Sequence, residues 1–206
     1  MSNVILTATP EMPPVNVREV LRYMGMRTTD AASVATVEEC IAEAASAFRG
    51  RVCWRAFDLY ITKSTVELGW ARVESHSLTK HLDGCQKTVL FAATLGLELD
   101  RLITKYSRLL PSRALCLQAL GAERIEALCD AFEQELLLQN EYKDMCLRPR
   151  FSPGYGDLPL ALQRDIFSAL CPARHIGLSL TDSLLMSPSK SVTAILGVAS
   201  KHSPKE

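Results

Sequence analysis

The chain has 206 residues, 48% of them hydrophobic, and its 23 basic side chains balance its 23 acidic ones. This length and hydrophobic content predict one large domain with a substantial core, and they exclude global disorder. The balanced charge argues against a nucleic-acid partner, because such binding usually needs a concentrated basic face.

The first quarter of the chain is predicted to be an arm followed by two helices. Residues 1–15 contain three prolines and no sustained period, which is typical of a loose N-terminal arm. Apolar residues at helical spacing predict a short helix from Val17 to Met24 and a second from about 32 to 48. Asp30 or Ser33 is placed to cap the second helix.

The next segment is rich in β-formers. Residues 51–61 and 65–73 are predicted strands, joined by a hairpin around Lys63-Ser64. Residues 78–82 fit one helical turn, and the uncharged run at 88–93 fits a buried strand.

Helices dominate the prediction beyond residue 100. A helix is expected at about 100–110, and the longest helix at about 112–142, where apolar residues recur every three or four positions. After a loop, the sequence predicts a helix at 158–170 that ends at Pro172.

The last predicted elements are strands at about 178–180 and 192–198. One domain is expected over residues 16–198, followed by a disordered tail at 199–206. Strands and helices occur in mixed order without a regular βαβ repeat, which favours an α+β domain.

The cysteines and the N-terminal sequence indicate the compartment. Seven cysteines are scattered without a Cys-x-x-Cys pair, as expected for free thiols in a reducing cytoplasm. No secretory signal or membrane-length apolar segment is recognisable. His175 has no second ligand at a metal spacing and is predicted to lie at a helix end, so no metal site is expected.

The loop from Arg150 to Asp157 has the chemistry of a ligand site. Arg150 can bind a carboxylate through two parallel hydrogen bonds. Gly154 lets a ligand approach the main chain, and Tyr155 offers an aromatic face and a hydroxyl group. The same residues also fit an ordinary Pro-Gly turn before a helix, with Asp157 as the N-cap.

The motif of Arg150, three residues and Gly154-Tyr155, followed by the Met186–Val192 segment and an apolar strand, has a known counterpart. It resembles the S-adenosylmethionine-binding activation domain of cobalamin-dependent methionine synthase, in a stand-alone form. The resemblance implies a mainly antiparallel twisted sheet packed with several helices. It also implies an S-adenosylmethionine pocket formed by Arg150, Ser152, Pro153, Gly154, Tyr155 and Glu126.

Some positions leave alternatives open. Glu126 lies beside the apolar stripe of the long helix, and a solvated acidic face would explain it as well as a pocket would. Gly156 stands where the family has a proline, and a later family segment with a ligand-contacting tyrosine has no counterpart after Val198.

The resemblance implies a reactivation subunit for cobalamin-dependent methionine synthase. The chain would bind S-adenosylmethionine and dock on a partner chain that carries the cobalamin. A flavodoxin-like or other low-potential donor would reduce cob(II)alamin, and the methyl group would pass to the reduced cobalt. No catalytic residue is expected in this chain, which would be inactive alone. The alternatives are an S-adenosylmethionine sensor, a scaffold for another corrinoid protein, and an interaction protein that has lost the site.

Overall fold

A five-stranded sheet forms the centre of the fold. The computed structural model describes residues 4–26, 29–63 and 65–201. Across the sheet the strands are β1 (Leu6–Ala8), β2 (Arg51–Asp58), β6 (Lys87–Thr94), β10 (Ser191–Ser200) and β7 (Met145–Leu147). Each neighbouring pair is antiparallel.

Two small sheets lie beside the central one. They consist of β3 (Tyr60–Thr62), β4 (Thr65–Glu67) and β5 (Arg72–Glu74), and of β8 (Ser179–Leu180) and β9 (Met186–Ser187). Thr62 pairs with Thr65, so the hairpin predicted around Lys63-Ser64 is confirmed, although Ser64 itself lies outside the described residues.

Six of the seven helices that the described residues form follow the predicted order, and α7 was not predicted. They are α1 (Val17–Tyr23), α2 (Ala31–Ala44), α3 (His76–His81), α4 (Glu98–Leu109), α5 (Pro111–Leu138), α6 (Gln163–Leu170) and α7 (Pro172–Ile176). Asp30 caps α2, since its carboxylate accepts a hydrogen bond from the Ser33 amide at 2.9 Å. Helix α6 ends before Pro172, as predicted, but this proline also begins α7, where its missing N–H costs nothing.

The sheet separates two hydrophobic cores because successive side chains of a strand point to opposite faces. On β6, Val89 and Phe91 belong to the core under α1, α2, α4 and α5, whereas Leu90 and Ala92 belong to the core under α6 and α7. Complete burial of a large apolar side chain stabilises the fold by about 1.5–3 kcal/mol. The α+β class with an antiparallel sheet and several helices is confirmed.

Several strand predictions differ from the structure. The predicted loose arm contains β1, which pairs with β2, and β7 and β9 were not predicted at all. The predicted strand at 65–73 is two strands, β4 and β5. Strand β10 continues to Ser200, into the predicted tail, while residues 202–206 lie outside the described part of the chain. The missed strands β1, β7 and β9 have two or three residues each, too few to display an alternating pattern.

None of the helices in the described part of the chain is long and apolar enough to cross a membrane.

Candidate functional site

Arg150 lies directly after the segment that leaves β7, and its guanidinium faces α5. Nη2 donates a hydrogen bond to Glu126 at 2.8 Å, while Nη1 donates to Asp130 at 2.7 Å and to Glu133 at 2.5 Å. Steps of four and three residues place these acids on one face of the helix. The structure thus brings the predicted residues Arg150 and Glu126 together and adds two carboxylates that the sequence analysis did not select.

The cluster of Arg150, Glu126, Asp130 and Glu133 has more acids than bases. Burial raises the pKa of the Glu133 carboxyl, and the charge of Arg150 opposes this shift. Burial alone would lower the pKa of Arg150, but hydrogen bonding to Asp130 and the charge of Glu133 outweigh it, and the pKa is raised. Arg150 therefore stays cationic, with three carboxylates around one guanidinium.

Antiparallel pairing with β10 holds the chain on either side of Arg150. The amide of Arg148 donates to the Gly197 carbonyl at 2.8 Å, and Phe151 exchanges two hydrogen bonds with Ile195 at 3.0 and 2.9 Å. Further along, the Ser152 hydroxyl donates to the Thr193 carbonyl at 2.9 Å. The backbone on both sides of Arg150 is consequently fixed to the central sheet, and the Ser152 side chain serves the fold.

The turn at Gly154 needs its glycine. Its φ of 90° is unfavourable for other residues, and its amide donates to the Leu158 carbonyl at 2.9 Å. Pro153 is buried beneath the turn. Tyr155 is 69% exposed and packs edge-on against Phe151, with ring centroids 5.3 Å apart. Of the residues in this turn, Tyr155 is therefore the one whose side chain is open to a ligand.

The prediction that Asp157 caps the helix following it is wrong. Its carboxylate accepts hydrogen bonds from the Ser75 hydroxyl and from the amides of His76 (2.7 Å) and Ser77 (3.2 Å), at the N-terminus of α3. These bonds, led by that from Ser75, lower the pKa of Asp157 to about 2. Asp157 therefore joins the Arg150 loop to a helix about 80 positions earlier, and the helix after it begins with a 3-10 turn at Leu160–Leu162 without a side-chain cap.

Two cavities border the Arg150 cluster. One of about 480 Å³ is formed by Asp130, Glu133, Leu147, Arg148, Pro149 and Arg150. The other, about 920 Å³, lies between the N-terminal arm, α1 and α5. Its lining includes six acids: Glu11, Glu19, Glu123, Glu126, Asp130 and Glu135. Ser152, Pro153, Gly154 and Tyr155 line neither cavity, so the predicted site residues form two groups on either side of Phe151.

An ion pair explains why the arm forms a wall of the larger cavity. Glu123 and Arg124 are paired with only 8% and 5% of their side chains exposed. Glu123 accepts a hydrogen bond from the Asn16 amide at 2.9 Å, and Arg124 donates to the Pro13 carbonyl at 2.6 Å. This ion pair was not predicted. The signal that could have revealed it is a Glu-Arg pair at adjacent positions within the buried face of a long helix.

No group of three or more His, Cys, Asp or Glu side chains suited to a metal ion occurs within residues 4–26, 29–63 and 65–201.

Comparisons with known proteins identify the fold. No protein-family profile matches the sequence, and no curated protein does. Among solved structures, the crystal structure of the MetH reactivation domain bound to AdoHcy superposes with a TM-score of 0.67. The fold is that of a MetH reactivation domain. The match covers 98% of this chain and 80% of that chain at 14% sequence identity, so the likeness is one of fold.

Proposed function

We propose that this chain binds S-adenosylmethionine beside Arg150 and serves as a reactivation subunit for a cobalamin-dependent methionine synthase. The observation that carries the proposal is the fold shared with the MetH reactivation domain bound to AdoHcy. The pairing of Arg150 with Glu126 supports it, because the motif around Arg150 first pointed to this family.

The exposure of the acids around Arg150 suggests how a ligand would bind. Asp130 and Glu126 are 67% and 45% exposed, so either can turn into solvent, whereas Glu133 is 20% exposed. The ligand carboxylate would replace one exposed acid on the guanidinium, and that acid would accept a hydrogen bond from the ligand ammonium. The carboxylate and the ammonium of the ligand are both paired in this exchange.

Tyr155 and the Gly154 turn would serve the rest of the ligand. A cationic sulfonium or a flat adenine ring can stack on an exposed tyrosine, and the Tyr155 ring is held edge-on by Phe151. The acidic cavity beside Glu126 and Asp130 adds a favourable potential for a ligand that carries an ammonium and a sulfonium.

The contribution of this chain to methyl transfer would be binding and orientation. The partner's cobalamin, reduced by a flavodoxin-like or other low-potential donor, supplies the nucleophile for the sulfonium methyl group. The residues of this chain need only hold the methyl group toward the partner, so the chain alone would be inactive. A cytoplasmic location remains a prediction.

Calorimetric titration with S-adenosylmethionine tests the binding step. Arg150→Ala should weaken binding by about 1.5–3 kcal/mol, the usual value of a charge-assisted hydrogen bond. Arg113→Ala is the matched control, since Arg113 is 21% exposed against 22% for Arg150 and is likewise paired with glutamates, Glu39 and Glu43. Equal loss in both variants, or no binding by the wild type, would contradict the proposed site.

A second experiment separates the reactivation subunit from a sensor. The chain is mixed with a cobalamin-carrying methionine synthase chain and a low-potential reductant, and methyl transfer from S-adenosylmethionine is followed by the cobalamin spectrum. A reactivation subunit should support transfer that Arg150→Ala reduces. Intact ligand binding without corrinoid docking would favour the sensor.

A further inference from the structure

A small cavity of about 180 Å³ lies at the opposite edge of the central sheet. It is formed by Thr7, Ala8, Thr9, Arg51, His175 and Ile176, which come from β1, the start of β2 and the end of α7. Its polar side chains are one guanidinium, one imidazole and two hydroxyls, and no carboxylate lines it. The charged side chain of this lining is basic, whereas those of the larger cavity near Arg150 are acidic.

Among the residues that the structure describes, Arg51 has no partner for one buried hydrogen-bond donor. Its Nε is buried without a hydrogen-bond partner, and none of the ion pairs among the described residues includes Arg51. Buried N–H groups in native proteins are nearly always satisfied, and an unmatched one costs free energy. An anion from outside the chain cannot reach this Nε, but it can reach Nη1 and Nη2, which are not buried unpaired atoms, and there it would balance a charge that has no ion-pair partner among the described residues.

The guanidinium of Arg51 packs against the end of α7. Gly177 has a φ of 71°, and a Cβ atom at this position would lie 3.5 Å from Nη2 of Arg51 and 3.9 Å from Nη1. The guanidinium therefore packs along the main chain at the end of the helix, beside His175. A guanidinium, an imidazole N–H and hydroxyl groups are donors suited to an oxyanion.

We propose that this cavity binds an oxyanion, namely a phosphate or carboxylate group, with Arg51 as its main ligand. One water molecule takes about 30 Å³ in the liquid, so the cavity holds roughly six water-sized groups, enough for one such anion. Strands β6 and β10 lie between β2 and β7. Three strand spacings of about 4.8 Å place the cavity about 14 Å across the sheet from the Arg150 segment. The oxyanion site stands independently of the proposed S-adenosylmethionine site.

Titration of the full chain with inorganic phosphate tests the proposal, with acetate and methyl phosphate in parallel at constant ionic strength. Binding is followed by amide chemical shifts of residues 6–9 and 175–177 and by the melting temperature. The wild type should show saturable shifts there, and Arg51→Gln should weaken binding at least about tenfold. Because phosphate also stabilises proteins generally by exclusion from their surface, the difference between variants is the decisive quantity.

Arg174→Gln is the matched control, because Arg174 is exposed on the same short helix and does not line the cavity. If Arg51→Gln fails to fold, His175→Gln replaces it and should weaken binding to a smaller extent. Saturation by phosphate and methyl phosphate alone identifies a phosphate site, and saturation by acetate alone identifies a carboxylate site. Absence of saturable binding by the wild type, or equal affinity in wild type and Arg51→Gln, would overturn the proposal.

Discussion

The three acids around Arg150 are not equivalent. Glu133 is the least exposed, and burial raises its pKa, so it is the costliest of the three to keep ionised. Asp130 and Glu126 reach solvent and line the larger cavity, and Asp130 also lines the smaller one. Glu133 therefore fixes the guanidinium against α5, while the two exposed acids are the ones that a ligand can displace.

The carboxylate of Asp157 should make the stability of the fold depend on pH. Its folded pKa of about 2 lies below its ordinary value of 3.8, so its stabilising effect is complete above about pH 4 and is lost as the pH falls through about 2. Asp157→Asn should lower the free energy of unfolding at pH 7, and the difference from wild type should shrink below about pH 4 and vanish only once the pH is well below 2. Urea unfolding at several pH values measures this, with exposed Asp144→Asn as the control. A difference that does not shrink between about pH 4 and pH 2 would mean that the carboxylate charge is not its source.

Some secondary-structure elements could be predicted from their own residues, and others depend on distant parts of the chain. Helix α5 was predictable because 28 residues display its period, whereas β1 and β7 have three residues each and are defined by the strands beside them. The same distinction holds in the site. The Arg150 motif is contained in six residues, but the acids that hold it lie 17 to 24 positions away. Asp157 was misassigned because its partners lie about 80 positions earlier.

Helix α5 packs its apolar stripe into the first core, and two leucines on it form a matched pair. Leu128 is fully buried, and Leu138 is 83% exposed. Leu128→Ala should reduce the free energy of unfolding by about 2–5 kcal/mol, because it removes buried contacts and leaves a cavity. Leu138→Ala should change it by less than about 0.5 kcal/mol. Urea denaturation followed by circular dichroism checks both, and similar losses in the two variants would contradict the assigned packing.

At the scale of the whole molecule, the two cores share the strands that separate them. Ala194 and Leu196 of β10 lie in the first core, and Ile195 between them lies in the second. The same backbone hydrogen bonds position the side chains on both faces of the strand. Loss of one core would therefore disturb the pairing of the strand and the packing of the other core. The described chain should therefore unfold as one cooperative unit.

The two tryptophans allow this to be measured, because each reports on one core. Trp54 is buried in the first core near Phe132, and Trp70 packs against the second beside Phe57. In Trp70→Phe the fluorescence reports the first core, and in Trp54→Phe it reports the second. The urea midpoint from fluorescence should coincide with that from far-ultraviolet circular dichroism within each variant. A Trp70 fluorescence midpoint at a lower urea concentration than the circular dichroism midpoint would contradict this expectation. It would mean that the second core unfolds separately, and that the contact between Asp157 and α3 breaks before the Arg150 cluster does.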